Sequence, residues 1–407
     1  MKKIISLFIA GSFISNAQNI SESNIQKHIA YLASDKLNGR GTSTDDEKKA
    51  ADYIAKEFKS LGLTPGNDKS YFYNFKFKKN LNPHDTSTVN LPERTGINVI
   101  GFLDNKALFT IVIGAHYDHL GFGKDHNSLD ANPDGKIHNG ADDNASGTSG
   151  VLELASYFTQ NKQTEKYNFL FMCYSGEELG LIGSKKWCDA PSYPLEKINY
   201  MINMDMIGRL NDSTKKLIIY GVGTSPVWVP IIDGIKSDLS IKKDSAGIGP
   251  SDQTSFYLKN IPVLHFFTGQ HADYHKPSDD VEKINIKGEA KVLYYILNII
   301  TATENMDKLT FLKTRNPDTG KGGFKVTMGI MPDYTYEGKG LHVDGVSDGK
   351  PAAKAGVLKG DIIIQLGEHP VGNVQDYMKA LGHFKKGDST IVRVMRDGKE
   401  VSLTVTF

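Results

Sequence analysis

Leu108-Phe109-Thr110-Ile111-Val112-Ile113-Gly114-Ala115-His116-Tyr117-Asp118-His119 is the stretch on which the fold turns. It opens as a run of β-formers that is almost wholly apolar, the texture of a strand covered on both faces. The run ends abruptly in imidazole and carboxylate groups at His116, Asp118 and His119. Ligand-type side chains directly after a buried strand belong at the carboxyl edge of an open α/β sheet, where such sheets hold their ligands.

Similar breaks recur along the chain, at Gly140-Ala141-Asp142-Asp143-Asn144, Ser175-Gly176-Glu177-Glu178, Asn203-Met204-Asp205-Met206-Ile207-Gly208 and Tyr274-His275-Lys276-Pro277. Each follows an apolar stretch or sits in a turn. Between them, strands expected at Tyr71–Phe77, Gly96–Phe102, Leu108–Ile113, Tyr167–Cys173, Ile198–Asn203, Leu217–Tyr220 and Val263–Phe267 are interleaved with helical patterns. Those helices are expected at 21–34, Asp45–Leu61, Ala145–Thr159, Leu179–Trp187, Pro226–Asp238, Ser251–Lys259 and Gly288–Asn305. Asn80–Pro92 reads as a polar loop. Strands separated by helices need crossover connections, so the fold class is α/β, a mostly parallel mixed sheet with helices on both faces.

These residue types suit one kind of chemistry. A divalent ion held by imidazole and carboxylate polarises a carbonyl and lowers the pKa of a bound water from ~15.7 toward ~7. Two ions need a shared carboxylate and two further protein ligands each. The sequence supplies one set of that size: His116, Asp143, Glu178, Asp205 and His275. Imidazole and carboxylate ligands suit zinc best. Neighbours at a strand exit point different ways, so of Glu177 and Glu178 one can bind metal while the other faces the attacking water as general base. Asp118, two residues past His116, can accept from the far imidazole nitrogen and fix its tautomer.

Beyond the polar, Gly-rich stretch 316–323 the texture changes to short strands at Lys325–Ile330, Gly340–Val346, Asp361–Leu366, Thr390–Met395 and Val401–Phe407. A helix at Val374–Leu381 and a hairpin turn at Arg396-Asp397-Gly398-Lys399 complete a small β-rich module. At the other end, Lys2-Lys3 and the apolar Ile4–Ile14 read as a signal peptide cleaved after Ala17. The expected division is therefore 1–17 signal peptide, 18–315 metal-binding domain, 316–323 linker and 324–407 β-rich module. Such a chain is exported to the periplasm or beyond. With 48 basic and 47 acidic residues, charge gives no reason to expect nucleic acid as a partner. No stretch after the leader is long and apolar enough to span a membrane. Cys173 and Cys188 could pair in an oxidising compartment, although Cys173 lies in an apolar run where a buried free thiol is the simpler reading.

Taken together, Ala115–His119, Gly140–Gly147, Gly176–Leu181, Asn203–Gly208 and Tyr274–Pro277 resemble the co-catalytic di-zinc aminopeptidases secreted by bacteria, over roughly residues 21–310. The resemblance implies two zinc ions per chain, one held by His116 and Asp205 and one by Glu178 and His275, with Asp143 bridging. It also implies Glu177 as base and proton shuttle, a cis bond after Asp143, Tyr274 near the developing oxyanion, and a substrate with a free α-amino group. Ser251-Asp252-Gln253 stands where many relatives have Ser-Asp-His, so no imidazole is available there. Met328-Gly329-Ile330, Gly340–Val346, Lys350–Gly356 and Gly360–Ile363 resemble a PDZ domain of the bacterial protease type. That likeness implies strand addition of a C-terminal peptide, its carboxylate held at Met328-Gly329-Ile330. The competing readings are a glutaminyl-peptide cyclotransferase, whose clan members use a reduced single-zinc site, and a non-catalytic peptide-binding protein on a peptidase scaffold.

Overall fold

The computed structural model describes residues 19–78, 91–125, 127–130, 132–314, 326–332, 338–346 and 349–407. The expected signal peptide, the linker 316–323 and most of the polar loop from Asn80 lie outside the described residues.

In chain order the first unit runs α1 (Glu22–Leu32), α2 (Asp45–Ser60), β1 (Thr64–Pro65), β2 (Phe72–Phe77), β3 (Arg94–Leu103), β4 (Phe109–His116), α3 (Gly147–Gln160), β5 (Tyr167–Tyr174) and α4 (Ile182–Asp189). It continues with β6 (Ile198–Met204), β7 (Lys216–Tyr220), α5 (Trp228–Gly234), β8 (Ser240–Lys243), α6 (Gln253–Tyr257), β9 (Val263–Phe267) and α7 (Ile286–Thr303). Local chemistry sets the helix starts. Ser21, Thr44 and Asn285 each cap a helix by accepting from a backbone N–H three residues on.

The strands form one nine-stranded sheet in the order β1-β3-β5-β4-β6-β9-β7-β8, with β2 pairing along the same edge of β3 as β1. Only its centre, β5-β4-β6-β9, is continuously parallel; β3 joins β5, and β7 joins β9, antiparallel. Alternate residues of the central strands enter opposite cores. Ile111, Ile113, Phe169, Phe171, Tyr200 and Ile202 pack with α1, α2, α3 and α7. Val112, Leu170, Met172 and Met201 pack on the other face with Trp187 of α4 and Phe256 of α6. Both faces are covered, which is why these strands read as unbroken apolar runs rather than alternating ones. Cys173 and Cys188 are free and buried, one in each core, on opposite faces of the sheet.

Several boundaries differ from those read in the sequence. The helix expected from Ala145 starts at Gly147, after a kinked turn over 141–146 in which Asp143 and Asn144 leave helical geometry and Asn144 Oδ1 accepts from Gly147 N–H. The helix expected at Leu179–Trp187 starts at Ile182, after a turn in which Gly180 and Leu181 both donate to the Glu177 carbonyl. The helix expected over Pro226–Asp238 shortens to α5. The edge strands β1 and β8 have no apolar pattern to reveal them.

The second unit comprises β10 (Ile330–Pro332), β11 (Leu341–Val346), α8 (Pro351–Ala355), β12 (Ile362–Leu366), β13 (His369–Pro370), α9 (Val374–Leu381), β14 (Ser389–Arg396) and β15 (Lys399–Thr406). Its strands pair antiparallel in the order β10-β11-β12-β14-β15, with β13 on β12. It has its own core, built from Met328, Leu341, Val343, Ile363, Leu366, Tyr377, Leu381, Val392, Val394 and Val405 among others. A salt bridge of Arg396 to both oxygens of the buried Asp361, each at 2.7 Å, ties β14 to the start of β12. Among the described residues, no helix is long and apolar enough to cross a membrane.

Candidate metal centre

Parallel pairing of β5, β4, β6 and β9 brings their carboxyl ends to one edge of the sheet. His116 ends β4 opposite Tyr174 of β5, and Met204 of β6 lies opposite Phe266 of β9. The loops leaving these strands carry Glu177 and Glu178, Asp205, and His275. Asp143 comes from the turn before α3. The expected ligand residues thus converge although they are spread over 159 positions of sequence, as the span from His116 to His275 shows.

Two groups form around Asp143. His116 Nε2 lies 3.4 Å from Asp143 Oδ1 and 3.4 Å from Asp205 Oδ1. His275 Nε2 lies 3.3 Å from Asp143 Oδ2 and 3.0 Å from Glu178 Oε2. Donors bound at ~2.0–2.2 Å to one tetrahedral ion stand about 3.3–3.6 Å apart, so most of these separations suit a shared ion on each side of Asp143. The imidazoles are oriented for it. His275 Nδ1 lies 2.9 Å from the carbonyl oxygen of Asn127, and His116 Nδ1 lies 3.2 Å from that of Asp118. A carbonyl only accepts, so each Nδ1 carries a proton and each Nε2 faces the carboxylates. His116 Nε2 and Asp205 Oδ1 are buried without hydrogen-bond partners, which for such polar groups is costly unless an ion completes them.

The electrostatics agree. Burial disfavours charge on His116, but Glu177 and Asp205 outweigh it and hold the imidazole well above its ordinary pKa. Burial acts likewise on His275, where Glu178 and Asp143 prevail. Burial pushes Asp143 up, yet its bonds to His116 and His275 pull it well below the usual carboxylate range, and His275 helps to bring Glu178 down to about 2. The cluster draws positive charge to the space between its carboxylates.

Glu177 is the exception. Burial raises its carboxyl well above the ordinary value; the Asp205 and Glu178 charges add to the rise and His116 opposes it. Its side chain lines a cavity of about 550 Å³, open mouth included, with Asp143, Asp205, Tyr220, His265, Tyr274 and His275. Tyr274 stacks on the His275 ring at 3.9 Å between centroids, so the phenol and the imidazole share one wall. Gln253, in contrast, is buried behind the site, within 3.4 Å of Asn203, and does not line the cavity.

The expected bond from His116 Nδ1 to the Asp118 carboxylate is replaced. The nearer acceptor is the Asp118 main-chain oxygen, with carboxylate Oδ1 at 3.7 Å. That carboxylate instead takes Thr42 Oγ1 at 2.7 Å and the Glu177 N–H at 3.2 Å. A two-residue spacing lets main chain and side chain compete for one imidazole, and the main chain wins here.

Sequence reasoning missed His119. Its Nδ1 lies 2.7 Å from Glu178 Oε1 and 4.0 Å from Asp143 Oδ2. His119, Asp143 and Glu178 lie close enough to hold an ion by themselves. The 2.7 Å contact is nevertheless a hydrogen-bond distance, well under what two ligands of one ion would keep, whereas His275 stands 3.3 Å from Asp143, at ligand spacing, and 3.0 Å from Glu178, slightly under it. His119 therefore holds one oxygen of Glu178 and leaves the other to face His275. The second imidazole of Ala115–His119 was the available signal.

Buried supports fix the loops. Arg40, fully buried, donates to the carbonyls of Leu32, Tyr117, Asn139 and Gly140. Asn144 donates to the Met204 carbonyl at 3.0 Å and accepts from Met206 N–H at 3.3 Å, bracketing Asp205. The Asp143–Asn144 peptide bond is cis. Gly147 follows so closely that an added Cβ would come within 3.0 Å of both Asn144 and the Met204 carbonyl oxygen. Met206 and His275 adopt left-handed backbone, at φ 53° and 55°.

In the second unit, Met328 is a core residue whose carbonyl accepts from Ala352 N–H at 2.8 Å. The Gly329 N–H donates to Thr327 Oγ1 at 3.0 Å, and Gly329 takes φ 71°. Ile330 opens the edge strand β10.

A mixed α/β sheet with this metal-ligand cluster at its carboxyl edge is a zinc-exopeptidase-like fold, and comparison with known proteins places it further. Residues 98–300 match the family described as Peptidase family M28, and residues 323–407 match the PDZ domain. The chain carries a peptidase family M28 domain followed by a PDZ domain. It is 28% identical over 213 residues to leucine aminopeptidase 2 of Arthroderma otae, a match covering 49% of this chain and 40% of that protein. The chain thus spans less than half the length of this curated relative. Among solved structures, the LapA aminopeptidase of Legionella pneumophila superposes with a TM-score of 0.53 at 20% identity, covering 75% of this chain and 78% of that one. A glutaminyl cyclase of Bacteroides thetaiotaomicron superposes with a TM-score of 0.54 at 16% identity, covering 72% and 100%. At these identities the solved structures speak for the fold.

Proposed function

We propose that the chain is a zinc-dependent aminopeptidase that hydrolyses the N-terminal peptide bond of peptides. The observation that carries this reading is the pair of ligand groups sharing Asp143, at the ligand–ligand distances given above, with Glu177 facing the same cavity. The residues fit two zinc ions: His116 and Asp205 would hold one, Glu178 and His275 the other, and Asp143 would bridge. Zinc bound there supplies a Lewis acid for the scissile carbonyl and acidifies water.

The remaining work falls to the chain. Glu177 takes the proton of the attacking water and returns it to the departing amine, a role that its raised pKa and place on the cavity wall support. Tyr274, stacked on His275 at the cavity rim, donates its phenol hydrogen to the developing oxyanion. A substrate with a free α-amino group is the class this reading expects, with its scissile bond in the cavity lined by Asp143, Asp205 and Glu177. The cyclotransferase reading asks for fewer ligands than this site assembles. The non-catalytic reading leaves a buried, cavity-facing Glu177 without a purpose.

The domain division 18–315 and 324–407, the export signal over 1–17, and peptide capture at Met328-Gly329-Ile330 form part of the same proposal. An exported peptidase with a PDZ appendage would hold protein tails near its catalytic cavity. The deciding experiment offers aminoacyl p-nitroanilides with free and N-acetylated amines to the purified chain, before and after chelation. We expect cleavage of the free-amine substrates only, abolished by chelator and restored by zinc. Equal cleavage of blocked substrates would overturn the aminopeptidase assignment.

A further inference from the structure

Two aspartates next to the centre face away from the cavity and make bonds that the mechanism above does not use. Asp279 is fully buried four residues after His275 on the same loop. Its Oδ2 accepts from the backbone N–H of Asp142 and of Asp143, both at 3.0 Å, and its carbonyl accepts from Ala141 N–H at 3.1 Å. Asp142, also fully buried, accepts through Oδ1 from Gly208 N–H at 2.7 Å and lies through Oδ2 3.1 Å from His271 Nε2. One carboxylate therefore joins the loop of Asp143 to the loop of His275. The other joins the loop of Asp143 to that of Asp205 on one side and, through His271, to the His275 loop on the other. Arg209, whose Nη2 lies 3.1 Å from Asp273 Oδ2 and whose Nη1 lies 3.9 Å from Asp279 Oδ1, supplies nearby positive charge.

We propose that Asp279 is a positioning residue for the metal centre: by gripping the consecutive amides of Asp142 and Asp143 it aims the Asp143 carboxylate at His275 and sets the spacing of the two ion positions. Asp142 does the parallel work toward Asp205. The inference rests on the metal reading given above. Its physical basis is direct. Asp143 leaves helical geometry, with φ −107° and ψ 92°, so no helix ladder fixes the direction of its side chain. Accepting two adjacent N–H groups on one oxygen fixes the peptide planes on either side of the Asp142 Cα, and the second of these planes leads directly into Asp143, which limits how far its side chain can swing. A ligand that can swing costs ordering free energy when the ion binds, and groups orienting ligands typically change metal affinity about 10–100-fold when removed.

The test is cobalt(II) titration of the metal-free full-length chain, followed by visible absorption, on wild type, Asp279→Asn and Asp279→Ala, with the melting temperature of each metal-free protein. Asn keeps a carbonyl oxygen for both amides; Ala does not. We expect Asp279→Ala to weaken cobalt binding by about 10–100-fold and to alter the absorption band, and Asp279→Asn to restore affinity to within about threefold of wild type. A merely structural role would lower the melting temperature and leave affinity and spectrum unchanged, which would overturn the proposal. If Asp279→Ala does not fold, Asp279→Ser, too short to reach either amide, takes its place. A chain that folds with neither also counts against the proposal, since Asp279 is then a folding determinant. Wild-type protein that takes up no cobalt would overturn the metal centre, and the clamp with it. Unchanged uptake by a folded Asp279→Ala chain overturns the clamp alone.

Discussion

The backbone N–H of Glu177 donates to Asp118 Oδ1 at 3.2 Å, so the residue two positions after His116, a proposed ligand, holds the proposed general base by its main chain. The other oxygen of Asp118 is taken by Thr42 at 2.7 Å. Asp118 is fully buried, and its carboxylate thus connects the β4 exit, the β5 exit and the loop before α2. Asp118→Ala removes the acceptor and frees the Glu177 loop. Turnover of aminoacyl amides should fall about 10–100-fold with little change in KM, measured by steady-state kinetics at saturating zinc. An unchanged kcat would remove Asp118 from this role.

Glu177→Gln keeps the side-chain shape and loses the basic oxygen. Metal content by atomic emission should stay at the wild-type value while kcat drops about 10²–10⁴-fold. Near-normal turnover would move the proton transfer to another group.

Glu47 offers a test of stability against pH. It is buried beneath the Glu177 loop, takes a short hydrogen bond from Ser175, and accepts from Ser43 N–H at 2.6 Å. Burial, reinforced by the Asp118 charge, pushes its carboxyl from 4.5 up to about 8. The folded chain binds this proton more tightly than the unfolded chain does. The contribution is therefore complete below pH 4.5 and is lost as the pH rises toward 8. Glu47→Gln cannot ionise, so the wild-type minus variant stability should fall with pH across that window, by at most about 1.4 kcal/mol per pH unit, in urea unfolding. A difference that does not vary with pH would show Glu47 ionised in the folded state.

The second unit buries its own cluster, from Met328 to Val405, and among the described residues this cluster shares no member with the cores of the first. A chain ending at residue 314 should fold, keep its hydrolysis of small aminoacyl amides within about twofold, and act more weakly on long peptides. Loss of the native circular dichroism spectrum on truncation would make the two units one.

The site was legible in the sequence where a short-range pattern carried it. The apolar runs of β4, β5 and β6 end in His116, Glu177–Glu178 and Asp205, and a strand covered on both faces writes its exit plainly. The antiparallel flanks were less visible, since β1 and β8 are short and half polar. The supports were hidden for a different reason. Asp279 meets Asp143 across 136 residues, and Arg40 meets Gly140 across 100. Nothing local distinguishes an aspartate that will receive two amides from one that will face water. His119 lay in plain sight beside the ligand motif, and only its geometry separates a group that holds Glu178 from a ligand.

At Gly147 the first turn of α3 rests against the last carbonyl of β6, with no room for a methyl group. The helix leads back to Asp143 and the strand leads on to Asp205. Any side chain at that point would act as a wedge, prising apart the two carboxylates proposed to share one ion. The spacing of the proposed centre is thus gauged from behind, at a position outside the cavity lining, and the smallest residue serves as its shim.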